Sequence, residues 1–101
     1  MGYNEGDHAL AKEISGLPQA RFRGSDREFD AISEEYIGQH KPALKDNFGK
    51  DFKKQALATF GAAASTGRGG YYRFDGKPGD KVLQKLQQYS SEFRVKLVIK
   101  Y

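Results

Sequence analysis

The stretch Arg27-Glu28-Phe29-Asp30-Ala31-Ile32-Ser33-Glu34-Glu35-Tyr36-Ile37-Gly38-Gln39-His40-Lys41 decides how the rest of the chain is read. Residues 27–33 form one extended run, with Phe29, Ala31 and Ile32 as inward candidates. Residues 36–41 form a second run, closed by Pro42, which cannot donate to a ladder. Glu34-Glu35 makes the turn, and so short a connection predicts a hairpin. Asp30 stands in the middle of the first strand, where aspartate is disfavoured and needs a reason. Gln39 and Lys41 are two apart on the second strand and share one face, while His40 between them faces the other way. Pairing Asp30 near Gln39 brings a carboxylate, an amide and an ammonium together. Such a set offers oxygen ligands to a divalent ion, with a cation beside it. It can polarise a phosphoryl oxygen, generate hydroxide from bound water and stabilise the charge that builds up in the transition state.

Working outward, residues 8–14 read as a short helix capped by Asp7 and ended by Gly16 and Pro18. Residues 20–23 are a short extended run stopped by the turn cluster Gly24-Ser25-Asp26. Downstream of the hairpin, Asn47 caps a long helix over 48–65, with an apolar stripe of Phe52, Ala56, Leu57 and Phe60. Thr66-Gly67 closes it. Residues 70–74 alternate as a strand, and residues 75–78 turn into a helix over 79–89 that carries Val82, Leu83, Leu86 and Tyr89 on one face. Residues 93–101 are the last strand. The order is α-β-β-β-α-β-α-β. The first strands form a meander, and the later ones alternate with helices, which implies crossovers and partly parallel pairing in a mixed α/β sheet.

The 101 residues allow a single domain, expected over 8–101 with a flexible stretch at 1–7. A domain of this size buries roughly two thirds of the surface its unfolded chain exposes. The hydrophobic fraction of 38% is enough for one core. There is no cysteine, so disulfides and thiolate sites are excluded, and with two histidines, His8 and His40, a histidine-rich zinc site is disfavoured. Hard cations such as Mg²⁺ suit the oxygen ligands that remain. The net charge of +4 favours polyanionic partners. No apolar run is long enough to span a membrane. Residues 1–4 have no targeting character and read as the start of a domain cut from a longer chain.

Lys50, Lys53 and Lys54 lie on the long helix beside the proposed site. They serve either as a solvated face or as phosphate contacts. Arg68, Tyr71, Tyr72 and Arg73 interleave charge and rings, which suits stacking on unpaired bases. Strand alternation makes Tyr72 and Phe74 core and leaves Tyr71 and Arg73 exposed. Blander readings remain open. Asp30 can pair with Arg23 or Arg27, and Gln39 and Lys41 can be the wet face of an edge strand. His40 reads as a surface or half-buried histidine rather than a general base.

Asp30 followed by Gln39-His40-Lys41 resembles the paired motifs of the restriction-endonuclease-like (PD-(D/E)XK) nucleases, in a Gln-x-Lys variant. The element order fits that family's core. The phrases Asp26-Arg27-Glu28-Phe29-Asp30, Tyr36-Ile37-Gly38-Gln39-His40-Lys41-Pro42 and Gly70-Tyr71-Tyr72-Arg73-Phe74-Asp75-Gly76 look more specifically like toxin domains of this fold. Those domains sit at the C-terminal ends of bacterial polymorphic and contact-dependent growth-inhibition toxins. The resemblance implies a metal-dependent nuclease, with a slight preference for tRNA over DNA. It implies Asp30, Gln39 and Lys41 as catalytic residues. Glu13 on the first helix becomes the added acid, a position for which Glu5, Glu28 and Glu35 compete. Asp30, Gln39 and Glu13 then hold the divalent metal, with Mg²⁺ the expected ion. The resemblance also implies a secreted or surface-displayed parent toxin acting in the target cell's cytoplasm, and an acidic immunity protein in the producing cell. A departure is Gln39 where a carboxylate is commoner, which lowers the negative charge around the metal. A DNase of the same fold, a non-catalytic nucleic-acid-binding module and a pure interaction domain are the alternatives. Metal dependence and salt dependence separate them.

Overall fold

Among the described residues, eight elements follow one another in the order the sequence predicts: α1 (Glu5–Ile14), β1 (Leu17–Ala20), β2 (Phe29–Ile32), β3 (Tyr36–Lys41), α2 (Lys50–Thr66), β4 (Gly69–Phe74), α3 (Asp80–Phe93) and β5 (Leu97–Lys100). The structure is a computed structural model and describes residues 5–22, 28–44 and 49–101. The strands form one five-stranded sheet in the order β1-β2-β3-β4-β5. The β1–β2 and β2–β3 pairs are antiparallel, and β3–β4 and β4–β5 are parallel. The mixed sheet flanked by helices is the architecture expected of a restriction-endonuclease-like core.

Several boundaries differ from the expectation, each for a physical reason. Helix α1 begins at Glu5 rather than at residue 8, so residues 5–7 belong to the folded domain and Asp7 lies inside the first turn. Strand β1 covers Leu17–Ala20 instead of 20–23, and it contains Pro18. An edge strand tolerates proline because one side of it has no partner to receive an N–H. Helix α3 runs on to Phe93 and stops when Arg94 adopts the left-handed conformation (φ 55°), so β5 starts later than predicted. Asn47 and the turn at 24–26 lie outside the described residues. Helix α2 is closed as expected by Gly67, whose φ of 70° an L side chain rarely adopts.

Each face of the sheet buries its own apolar cluster. Helices α2 and α3 cover one face, with Phe52, Phe60, Val82 and Leu86 packed on Ile37, Tyr72 and Phe74. Helix α1 covers the other, with Leu10, Ala11 and Ile14 against Ala31 and Tyr71. Full burial of such side chains is worth about 1.5–3 kcal/mol each. Leu57, expected in the α2 stripe, is 44% exposed. It lies five residues past Phe52, which turns it about 140° away from that contact. Its place is taken by Thr59, which is fully buried.

The hairpin turn is fixed by its own sequence. The Ser33 N–H donates to the Tyr36 carbonyl at 2.8 Å, and the Ser33 hydroxyl accepts from the N–H groups of Glu35 and Tyr36. Beyond it the register runs Ile32 opposite Ile37 and Ala31 opposite Gly38. There the regular β2–β3 ladder ends, and the next residue on β2 is Asp30.

Candidate active site

Asp30 sits where regular pairing gives out on both of its sides. Toward β3, its carboxylate accepts the backbone N–H of His40 at 2.8 Å, replacing a ladder bond with a side-chain bond. Toward β1, the pairing of Pro18 with Ala31 and of Ala20 with Phe29 brackets Gln19, whose φ is 47°. A non-glycine residue held there costs on the order of 1–2 kcal/mol. The break also explains why Phe29 and Ala31, two apart on one strand, belong to opposite apolar clusters. The reason that a mid-strand aspartate demands is thus visible: Asp30 marks the place where β2 leaves the sheet's regular pattern.

Gln39 and Lys41 share the α2 face, as their spacing predicts. Gln39 is buried, and its amide nitrogen donates to the Thr59 hydroxyl at 3.0 Å. That hydroxyl donates in turn to the Gln55 carbonyl at 2.8 Å. Lys41 is half-buried and its ammonium donates to the side-chain oxygen of Gln55. The amide nitrogen of Gln39 is therefore spent on α2, which leaves its oxygen as the atom suited to a cation. Tyr72 is buried beside Thr59, whose hydroxyl its own approaches without a well-formed hydrogen bond among the described residues. Burial pushes its phenol far up, and the charge of Asp30 adds to the effect.

The acid that α1 supplies toward Asp30 is Asp7. Its residue is only 6% exposed. Burial raises its carboxyl above the ordinary value, and the neighbouring Asp30 charge raises it further; a hydrogen bond from Gln19 and the proximity of His40 pull the other way. The strained backbone of Gln19 thus serves to aim an amide at Asp7. Glu13, the helix acid expected from the sequence, has its own partner farther along α1. Its carboxylate accepts the Tyr71 hydroxyl on the α1 side of the sheet. Asp7 was legible in principle, because positions 7, 10, 11 and 14 form one helical stripe and the other three are apolar and buried. A polar residue on that stripe is a signal, which reading Asp7 as a cap conceals. The same holds for Gln55 and Thr59 on the inner side of α2.

The remaining predicted residues separate. Tyr71 is 7% exposed, a correction to its reading as a base-stacking ring: α1 covers that face, so alternation along β4 buries both tyrosines. Burial first, and then the bond to Glu13, pushes its phenol up to about 12. Arg68 is half-buried and holds the hairpin base, its Nε donating to the Ser33 carbonyl at 2.6 Å and its guanidinium lying 5.1 Å from the Phe22 ring centre. Arg73, Lys50, Lys53 and Lys54 are exposed. His40 faces away from Gln39 and Lys41, as expected, and its Nε2 is 2.7 Å from Asp75. Its ring packs so closely on Gly6 that a Cβ there would sit 2.4 Å from it. Arg23 and Arg27 lie outside the described residues.

Asp7 is thus buried with the charge of Asp30 near enough to raise its carboxyl, while on the α2 face Gln39 and Lys41 are held by Thr59 and Gln55. Among the described residues no three Asp, Glu or His side chains form a metal-holding group, so a cation here needs the Gln39 oxygen or water to complete its shell. The donor set fits a hard divalent ion, because like charges held together out of water call for a positive partner. No described helix is long and apolar enough to cross a membrane. Among known families, the one described as Restriction endonuclease fold toxin 3 matches residues 3–99. No curated protein and no solved structure is significantly similar to the chain.

Proposed function

Because this chain belongs to the restriction endonuclease fold toxins, we propose that it is a divalent-metal-dependent endonuclease whose site is Asp30, Gln39 and Lys41, with Asp7 as the helix-borne acid. The observation that carries the reading is the convergence of Asp7 and Asp30, where burial and mutual repulsion raise the Asp7 carboxyl. A bound cation, Mg²⁺ by ligand hardness, would be held by Asp30, Asp7 and the Gln39 oxygen, and would supply Lewis acidity and an activated water. The chain's own groups do the rest. The His40 N–H orients Asp30, Thr59 orients Gln39, and Gln55 keeps Lys41 at the site. Lys41 is the charge that faces the phosphoryl oxygens in the transition state.

The proposed substrate is a phosphodiester backbone, with tRNA ahead of DNA. The parent protein is a secreted or surface-displayed toxin, and the domain acts in the cytoplasm of its target. A producing cell then needs an immunity protein, acidic where it meets this basic domain. The test has two parts. Purified domain is incubated with total RNA and with plasmid DNA, with Mg²⁺ or with EDTA, and the products are separated by electrophoresis. Cleavage that needs the cation is expected, and full activity in excess chelator would sink the mechanism. Expression in a naive bacterium should stop growth, Asp30→Ala should be harmless, and the gene directly downstream of the toxin should rescue.

A further inference from the structure

Three polar residues follow one another across neighbouring strands. Asp30 on β2 stands one residue past the Ala31–Gly38 pair, Gln39 follows Gly38 on β3, and Gln39 pairs in turn with Tyr72 on β4. The next partner, Ile99 on β5, is apolar. Each of the three has one part committed to the fold and one left over. Asp30 uses one oxygen to accept the His40 N–H, and its other oxygen accepts nothing among the described residues. Gln39 uses its nitrogen on Thr59, and its oxygen stays open. Tyr72 packs by its ring, and its hydroxyl makes no well-formed hydrogen bond among the described residues.

Tyr72 is the costly member of the row. The residue is 1% exposed, and its hydroxyl is the one buried side-chain nitrogen or oxygen among the described residues without a partner. A buried hydroxyl left unpaired destabilises the fold, because the bonds it made to water in the unfolded chain are not replaced. The ring is not free to swing toward a partner. It stacks on Phe60, with 6.2 Å between centres and 18° between planes, and on Phe74, at 6.1 Å and 20°. The hydroxyl it approaches, that of Thr59, already donates to the Gln55 carbonyl and accepts from Gln39. The charge of Asp30 reaches the Tyr72 oxygen. Tyr71, the neighbour on β4, shows the contrast, because its hydroxyl is taken by Glu13. A phenylalanine at position 72 would keep the stacking and leave no unpaired oxygen.

We propose that Tyr72 is a positioning residue of the cation site, its hydroxyl uncommitted in the cation-free fold and hydrogen-bonded within the oxygen shell that a divalent ion gathers at Asp30 and Gln39. The inference rests on the metal-dependent nuclease reading and adds to it a residue that carries no charge and belongs to no motif. A group that holds a metal's ligands tunes affinity without touching the metal, and its loss commonly costs about 10–100-fold in binding. The same hydroxyl weakens the fold when no cation is bound. It therefore acts on stability and on cation binding with opposite signs, which a hydroxyl that only fills the core does not do.

Tyr72→Phe keeps the ring and removes the oxygen. Two quantities are measured without nucleic acid on wild type, Tyr72→Phe and Tyr89→Phe: the melting temperature in EDTA, and the affinity for Mn²⁺, read from the electron paramagnetic resonance of the free ion. Tyr72→Phe should melt at or above the wild-type temperature in EDTA and should bind Mn²⁺ about 10–100-fold more weakly. Tyr89→Phe makes the same change in the same apolar cluster, on α3, and should leave the affinity unchanged. A Tyr72→Phe domain that melts lower in EDTA overturns the proposal whatever its affinity, because the hydroxyl then already has its bond, to Thr59, in the cation-free fold. Unchanged Mn²⁺ affinity overturns it whatever the melting temperature. An equal loss of affinity from Tyr89→Phe overturns it as well, since the effect would then be a general softening of the core. The two readings fail distinguishably. A wild type that binds no Mn²⁺ defeats the cation site and this inference with it, whereas a wild type that binds Mn²⁺ and cuts nucleic acid while Tyr72→Phe binds the ion equally well defeats only the role of Tyr72.

Discussion

The two faces of the sheet are built from the same strands and hold similar polar residues, yet they put them to different uses. On the α2 face, Gln39 and Lys41 of β3 meet Thr59 and Gln55, uncharged partners that leave the Lys41 charge unneutralised and the Gln39 oxygen open. On the α1 face, His40 of the same strand closes on Asp75, and Tyr71 of β4 closes on Glu13. Each of those pairs satisfies itself. The contrast teaches that an acid or a histidine in a short basic domain is not a site because of its identity. It becomes one where its partners leave its charge unneutralised.

The sharpest break of this comparison comes from removing the charges that have no ion-pair partner of their own. Asp30→Ala and Lys41→Ala should each lower the cleavage rate by about 10²-fold or more, the usual loss when an electrostatic partner of the transition state goes. His40→Gln, one residue from each motif position but on the other face, should cost far less, because the bond to Asp30 is made by its backbone N–H. Rates from gel cleavage assays, with circular dichroism to confirm folding, make the test. A His40→Gln loss as large as that of Lys41→Ala would erase the distinction between the faces.

Next in size is the choice between the two acids of α1. Asp7→Asn should lower activity by roughly tenfold or more, whereas Glu13→Gln should leave it near the wild-type level. Stability should move the opposite way. The Asp7 carboxyl is raised above its unfolded value of 3.8. The folded state therefore holds a proton that the unfolded chain has lost, and this contribution to stability disappears as pH rises through the folded pKa. Above its folded pKa the wild-type Asp7 carries a buried charge that Asp7→Asn does not, so the variant should melt a few degrees higher there. Divalent cation should raise the melting temperature of wild type, because it binds the native state alone, and should do so much less for Asp7→Asn.

These residues show what the sequence carries and what it withholds. The hairpin was legible because a two-residue turn, a proline stop and a strict alternation all constrain residues close in the chain. The alternation of helices and strands after it was legible for the same reason. The sharing of one face by Gln39 and Lys41 follows from strand geometry alone. What could not be read is which of several acids on one helix lies nearest Asp30, because no local pattern states how α1 lies across the sheet. The burial of Tyr71 depends on α1 lying across the sheet, and no local pattern states which face a helix covers. The grip of Gln55 and Thr59 on the site joins positions 14 and 20 residues apart. Its only local trace is a threonine in an apolar stripe.

Thr59 gives a smaller and more selective test. Thr59→Val keeps the shape and removes the hydroxyl, which leaves the buried amide nitrogen of Gln39 without its acceptor. The stability cost should be about 1–3 kcal/mol. A slackened Gln39 should also lower kcat by roughly tenfold, with KM little changed, since positioning rather than substrate binding is impaired. Thr59→Ser restores the oxygen and should recover kcat. Recovery of stability without recovery of rate would make Thr59 a core residue only, and the α2 face would then be no more poised than the α1 face.

The smallest expected effect lies on the self-satisfied side. Tyr71→Phe removes one hydroxyl from the Glu13 bond and leaves the ring among Leu10, Ala11 and Ile14. Deleting such a bond costs about 0.5–1.5 kcal/mol, and cleavage should proceed at the wild-type rate. The consequence should show at alkaline pH. Burial and Glu13 hold the Tyr71 phenol at about 12, against an ordinary value of 10.0. Between those values the unfolded chain gives up the proton while the folded chain keeps it. Stability from this group is fully present below the unfolded value and is lost as pH rises toward the folded one. Tyr72, raised by its deeper burial, acts in the same direction, so wild type should lose stability steeply across this range. Tyr71→Phe should flatten that loss in part, and a denaturant series at increasing pH reads the slope directly. Should the variant instead lose nuclease activity at neutral pH while remaining folded, the Tyr71–Glu13 pair would belong to the site, and the division between an active and a structural face would have to be redrawn through α1.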